Sequence, residues 1–312
     1  MRSVRALVEG LWMVITAPLL LAGVTLVSLL IAVPFGLVLN SHVQASLANQ
    51  PPIYQGSVEI DPEWWSEFRA HAQGLDATFT PAVIGFAAPL DNLSALLDGT
   101  ARPLVLAGPV ALSALAWAFL WGGIFQRFVR SRKEGPAAFW SAGLRFLPRF
   151  AIISVAAGVA TFLLYVTVHA ALFGPVYQWL AAHASSERNA FFWRIVLYAI
   201  FGALIMIVSL IADYARISAV TASTASAGNA IAAGVRFVRT NLGAAVLLYV
   251  LSGSIFVALL AVYGAVDIYG GSRVGGWRGV VIAQAYIVAR LAIRLTLAAS
   301  EARLFQATRR LV

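Results

Sequence analysis

Six stretches of this chain are too apolar and too long for a water-facing fold: residues 11–39, 104–124, 151–172, 195–212, 243–266 and 279–299. Hydrocarbon about 30 Å thick needs roughly 20 apolar residues per helix. A backbone inside it must satisfy its own hydrogen bonds, so helices are the economical solution. The sequence therefore predicts an all-α membrane protein with six transmembrane helices. Composition agrees: 61% of residues are hydrophobic, 11% are charged, and the mean hydropathy is +0.84. A soluble domain has about 25% charged residues. The first stretch exceeds the 7–15 apolar residues of a secretory leader, so it reads as an uncleaved anchor, kinked or ended by Pro18 and Pro34. All 312 residues are expected to form one membrane domain.

The net charge of +9 does not point to nucleic acid, because the basic residues are partitioned. A six-span alternation puts fourteen on one side, in segments 2–5, 127–149, 216–239 and 303–310, and six on the other, Arg69, Arg102, Arg188, Arg194, Arg273 and Arg278. That asymmetry places both termini in the cytoplasm. Twenty-one arginines against one lysine, with abundant alanine, suggest a GC-rich bacterium and hence its cytoplasmic membrane. Anionic lipids are the expected partners of the basic side, at roughly 1 kcal/mol per residue, and a membrane-protein partner is a further expectation. With no cysteine, disulfides and thiolate metal sites are excluded.

An internal repeat is legible. SAGLRFLPRF at 141–150 aligns with AAGVRFVRTN at 232–241, and SVRALVEGLW at 3–12 fits the same mould. Each amphipathic, basic entry leads into a span, an outside loop and a returning span that ends near Arg127, Arg216 or Arg303. The units run approximately over 1–128, 140–218 and 228–305, as parallel repeats. The first carries an extracytoplasmic insertion, 40–103, in which Asp61, Pro62 and Glu63 signal a helix start. A second helix is expected from Thr80–Pro81, interrupted by Pro89.

An acid at a helix C-terminus opposes the helix dipole, so Asp213 and Glu301 should have basic partners. The entry arginines Arg145 and Arg236 lie at the same depth, and structural ion pairs between these four are the expectation. The last span, VIAQAYIVARLAIRLTLAASEAR, aligns Tyr286, Arg290, Arg294 and Glu301 on one stripe. An arginine at the midplane costs at least about 2.5 kcal/mol to insert. Arg290 is therefore either an internal brace or, with Arg294 and Tyr286, the lining of a cavity for an anion or lipid headgroup.

His42, His71, His169 and His183 all fall in the outer half without metal-ligand spacing. They read as interfacial histidines, with a metal site, or His169 as an axial ligand, as the rival readings; no metal or cofactor is expected. Neither a nucleotide-binding loop nor a nucleophile with a base is present, so no catalytic residue is assigned. The DYARI and AGVRF segments, with the hydropathy profile, resemble six-span bacterial integral membrane proteins. In outline these are similar to the membrane domain found beside some glycerophosphodiester phosphodiesterases. That resemblance implies a membrane domain and no catalytic residue. The leading expectation is a non-enzymatic structural, assembly or accessory subunit. The alternative is a transporter or lipid-handling protein with a cavity lined by Arg290 and Arg294.

Overall fold

The computed structural model describes residues 2–48, 62–79, 87–100, 103–130, 135–222, 226–270 and 277–309. They form helices α1 (Arg2–Ile15), α2 (Pro18–Ala48), α3 (Pro62–His71), α4 (Ala87–Asp98), α5 (Ala107–Arg130) and α6 (Pro136–Leu163). After them come α7 (Tyr177–Ala182), α8 (Glu187–Thr221), α9 (Ala227–Gly270) and α10 (Trp277–Arg309). Six helices among these residues are long and apolar enough to cross a membrane. The chain is a multi-pass, all-α membrane protein.

Two boundaries differ from the sequence expectation. The first span is Pro18–Ala48, and residues 2–15 form a separate helix instead of its beginning. Pro18 lacks the N–H that would continue α1, and proline is well suited to a first helical turn. Pro34 lies inside α2 without ending it. In the second and third hairpins, by contrast, the basic entry runs on into the span. Helix α9 bends there at Asn241 (φ −127°, ψ 26°), whose side chain donates to the Phe237 carbonyl. Beyond α6 the backbone continues as two π-helical stretches, Leu164–His169 and Leu172–Val176. Pro175 explains the second, since it removes one backbone donor.

The returning helices α5, α8 and α10 contact one another at the centre of the bundle. Each also carries a basic-entry helix: α6 lies on α5, α9 on α8, and α1 on α10. Lipid offers no hydrophobic drive between helices, so close backbone approach has to supply the packing. Glycine supplies it at all three seams: on α5, a Cβ on Gly122 would stand 2.9 Å from the Ala142 carbonyl oxygen of α6. A Cβ on Gly234 would stand 2.6 Å from the Ile211 carbonyl oxygen, and one on Gly10 would stand 2.1 Å from Ser300 Oγ. Phe125, Phe146, Phe150, Tyr214 and Leu295 are sealed between the helices.

In the insertion, α3 begins at Pro62 with Glu63 in its first turn. Asp61 and the Thr80–Pro81 start lie outside the described residues. Trp64 and Phe68 are buried, and Trp64 Nε1 donates to Ser46 Oγ on α2 at 3.2 Å. Pro89 sits in the first turn of α4, where proline is tolerated, and does not break that helix.

Candidate functional site

A cleft of about 430 Å³ opens between α5, α6, α8, α9 and α10. Its walls follow from the helical periods. On α5, Trp117, Trp121 and Phe125 recur every fourth residue and present one aromatic face. On α8, Ser209, Asp213 and Arg216 occupy one stripe, and on α10 Arg294 and Glu301 stand two turns apart, about 10 Å. Helix α6 contributes Ser154, Gly158 and Thr161, and α9 contributes Tyr249.

The charged groups are bonded unequally. Arg216 Nη1 donates to Asp213 Oδ1 at 2.6 Å, and Nη2 donates to Ser154 Oγ at 3.1 Å. Both partners are mostly enclosed, with 14% of the Arg216 side chain and 20% of the Asp213 side chain exposed. Tyr249 shares a hydrogen bond with Ser209. Arg294 is different. Its guanidinium lies over the Trp117 ring at 3.8 Å and 5.3 Å from the centre of the Trp121 ring, while its surface remains open to the cleft. Among the described residues no side chain or carbonyl accepts a hydrogen bond from it. Stacking on an indole uses the face of a guanidinium and leaves the N–H edge for a planar acceptor. Glu301 is almost fully buried at the floor; among the described residues its Oε1 has no donor, Arg216 Nε is unpartnered, and so is the Tyr214 hydroxyl outside the lining.

The expected ion pairs do not form. Asp213 takes its partner from its own helix, three residues on, and Glu301 meets no arginine at hydrogen-bond distance among the described residues. Arg145 donates to Gln126 on α5 at 2.5 Å instead, and Arg236 is exposed. Entry arginines on amphipathic helices point to the outer surface of the bundle, whereas the exit acids point to its axis. Arg294 lines the cleft, but Arg290 does not; it is exposed beyond the lining. Tyr286 stacks on Tyr263 at 4.3 Å, outside the cleft. Sequence reasoning missed Trp117, Trp121 and Ser154. The four-residue recurrence of the aromatics was the available signal, but in a membrane helix it looks like any lipid-facing or core stripe.

The outer half holds a second polar cluster of another character. Helix α4 ends in a Schellman turn, with Gly99 at φ 66° and Thr100 N–H donating to the Ala95 carbonyl at 3.0 Å. Its last carbonyls are taken up from the neighbouring hairpin: Tyr165 donates to Leu96, and His169 Nε2 meets the Leu97 carbonyl at 2.9 Å. Asp98 accepts from Tyr198, from Ser94 at 2.9 Å and from Arg194 at 3.5 Å. The Tyr198 hydroxyl above all, then Ser94, holds its carboxyl below the ordinary range. His42 Nδ1 pairs with Asp76 Oδ1 at 2.8 Å beside Trp64, Glu67 and His71, and His183 bonds the Trp179 carbonyl. No three metal-ligating side chains come together among the described residues. Comparison with protein-family models, with curated proteins and with solved structures finds no match.

Proposed function

We propose that this protein is a transporter or lipid-handling protein of a bacterial cytoplasmic membrane, binding an anionic group in the cleft through Arg294. The observation that carries this reading is Arg294 itself, stacked on Trp117 at 3.8 Å in a cleft of about 430 Å³ and bonded to no acceptor among the described residues. A guanidinium inside a membrane is costly unless something offsets its insertion. Here the ring face offsets part of it, and a ligand would complete it. Arg290, exposed outside the cleft, drops out of the binding set, and so does Tyr286. The reading asks for capture and release, with no bond-making step and no cofactor. An accessory-subunit role fits the same architecture but leaves the cleft and its open guanidinium without a purpose.

Native mass spectrometry of the full chain released from membranes tests this directly. Wild type is expected to retain anionic lipid or another anion, and Arg294→Leu to lose it. Equal retention in the two would refute the assignment. The orientation is part of the proposal, with both termini cytoplasmic as the arginine partition requires. Cysteines placed at Gln73 and Ser185 should react with an impermeant maleimide on spheroplasts, and one at Gly135 should not. We also read the three hairpins as copies of one unit; the seating of α1, α6 and α9 on α10, α5 and α8 supports it.

A further inference from the structure

We infer that the cleft takes an amphiphile, a phosphate-type group carrying a single apolar chain, and not a small free anion. This rests on the anion-binding reading above and specifies its ligand. The cleft is graded along its length. Its floor holds Ser154, Asp213, Arg216 and Glu301, and its other end is walled by Ala114, Gly158, Thr161 and Val208. Arg294 is the first α10 residue of the lining, two turns from Glu301, and stacks on Trp117. Along α6 the passage from Ser154 to Thr161 covers two turns, about 10 Å.

Volume decides between the two ligand classes. At about 30 Å³ per water in the liquid, a free phosphate occupies the room of roughly two or three waters. That is a small part of about 430 Å³. Part of the remainder lies against the apolar wall of Ala114, Ala157, Gly158 and Val208, where a hydrocarbon chain removes apolar surface from water. A Cβ built on Gly158 meets nothing within 4 Å, so this part of the wall faces open space. Phosphate suits the cation because a guanidinium edge offers two parallel donors to two oxygens. Asp213 Oδ1 accepts from Arg216 at 2.6 Å, and among the described residues Asp213 makes no hydrogen bond to Arg294. A cationic amphiphile would meet Arg294 as a like charge.

The experiment is calorimetric titration of the full-length protein in mild detergent with three probes: decyl phosphate, inorganic phosphate and decyltrimethylammonium. Decyl phosphate is expected to bind at least about 30-fold more tightly than inorganic phosphate, and the ammonium probe not at all. Arg294→Lys should weaken decyl phosphate about 10-fold and Arg294→Leu about 100-fold, whereas Arg290→Leu should change nothing. Gly158→Leu is the second arm, because it enters open space and leaves both arginines in place. It should weaken decyl phosphate at least about 10-fold and leave inorganic phosphate unchanged. Inorganic phosphate binding as tightly as decyl phosphate would overturn the amphiphile while leaving the anion site standing. Decyltrimethylammonium binding as tightly as decyl phosphate, or decyl phosphate indifferent to Gly158→Leu, would overturn it too. Absence of binding by any probe would overturn both readings.

Discussion

The cleft and the outer cluster at Asp98 are built from the same materials, arginine, carboxylate, tyrosine and serine, yet their bonding differs. At Asp98 the groups answer one another: the carboxylate receives Tyr198, Ser94 and Arg194, and Tyr165 and His169 occupy the carbonyls that end α4. In the cleft, among the described residues, Arg294 meets ring faces and no acceptor, and Glu301 Oε1 and Arg216 Nε have no partner. Buried polar groups in native proteins are nearly always bonded, so a cluster of exceptions points to work other than holding the fold. A satisfied network fastens the insertion to the second hairpin. The network at the axis of the bundle is the less satisfied of the two.

Substitutions can break this contrast. The largest effect on stability is expected at Asp213. Asp213→Asn removes the carboxylate from a largely enclosed Arg216 and should cost about 1–3 kcal/mol, read as a lower melting temperature in detergent. Because it also leaves Arg294 with less opposing charge, decyl phosphate should bind more tightly to this variant. A neutral melt would mean that Asp213 and Arg216 are as well solvated apart as paired and would erase the difference between the regions.

Glu301 should respond in the opposite direction. Its donorless oxygen is buried at the floor, so Glu301→Met is expected to raise stability by about 1–3 kcal/mol, since buried charge is often replaceable by apolar volume. A destabilised Glu301→Met protein would mean that the carboxylate has a partner in the membrane-embedded state.

The outer cluster should behave as a fastening and nothing more. Tyr198→Phe is expected to lower stability by about 0.5–1 kcal/mol, the net worth of one hydrogen bond at a partly exposed site. Decyl phosphate affinity should not change. A shift in affinity would show that the fastening and the cleft communicate.

The smallest effect at ordinary pH is the titration of Asp98. Its carboxyl is held low in the folded protein, so the unfolded chain binds protons at higher pH than the folded one. The stabilisation is complete above the unfolded value near 3.9 and is lost as pH falls through the lower folded value. Protease resistance of the 87–100 segment should therefore stay flat from pH 8 to 5 and decline only below about pH 4. Asp98→Asn should remove that acid step. A decline already near pH 6 would show that Asp98 does not set the acid limit of this segment.

Much of the architecture is legible without coordinates, because lipid imposes a one-dimensional test. Spans such as 195–212 and 243–266 are recognisable from length and apolarity alone, and Pro62 and Glu63 mark α3 by local chemistry. The first boundary was misplaced because residues 11–15 are apolar in both a span and an amphipathic helix, and only the break before Pro18 separates them. The midspan arginines were visible for the same reason as the spans: each stands against a known insertion cost. Which of them lines the cleft was not visible: depth in the span singles out Arg290, the residue nearer the midplane, over Arg294 one turn on. Packing of α5, α8 and α10 around one axis decided that Arg294 meets Trp117 and the cleft while Arg290 faces outward. Asp213, by contrast, pairs with Arg216 three residues on in its own helix rather than with Arg236, a local contact that the spacing already offered. Sequence fixes what a residue costs in a membrane; only the rotation and approach of neighbouring helices determine which group stands close enough to offset that cost.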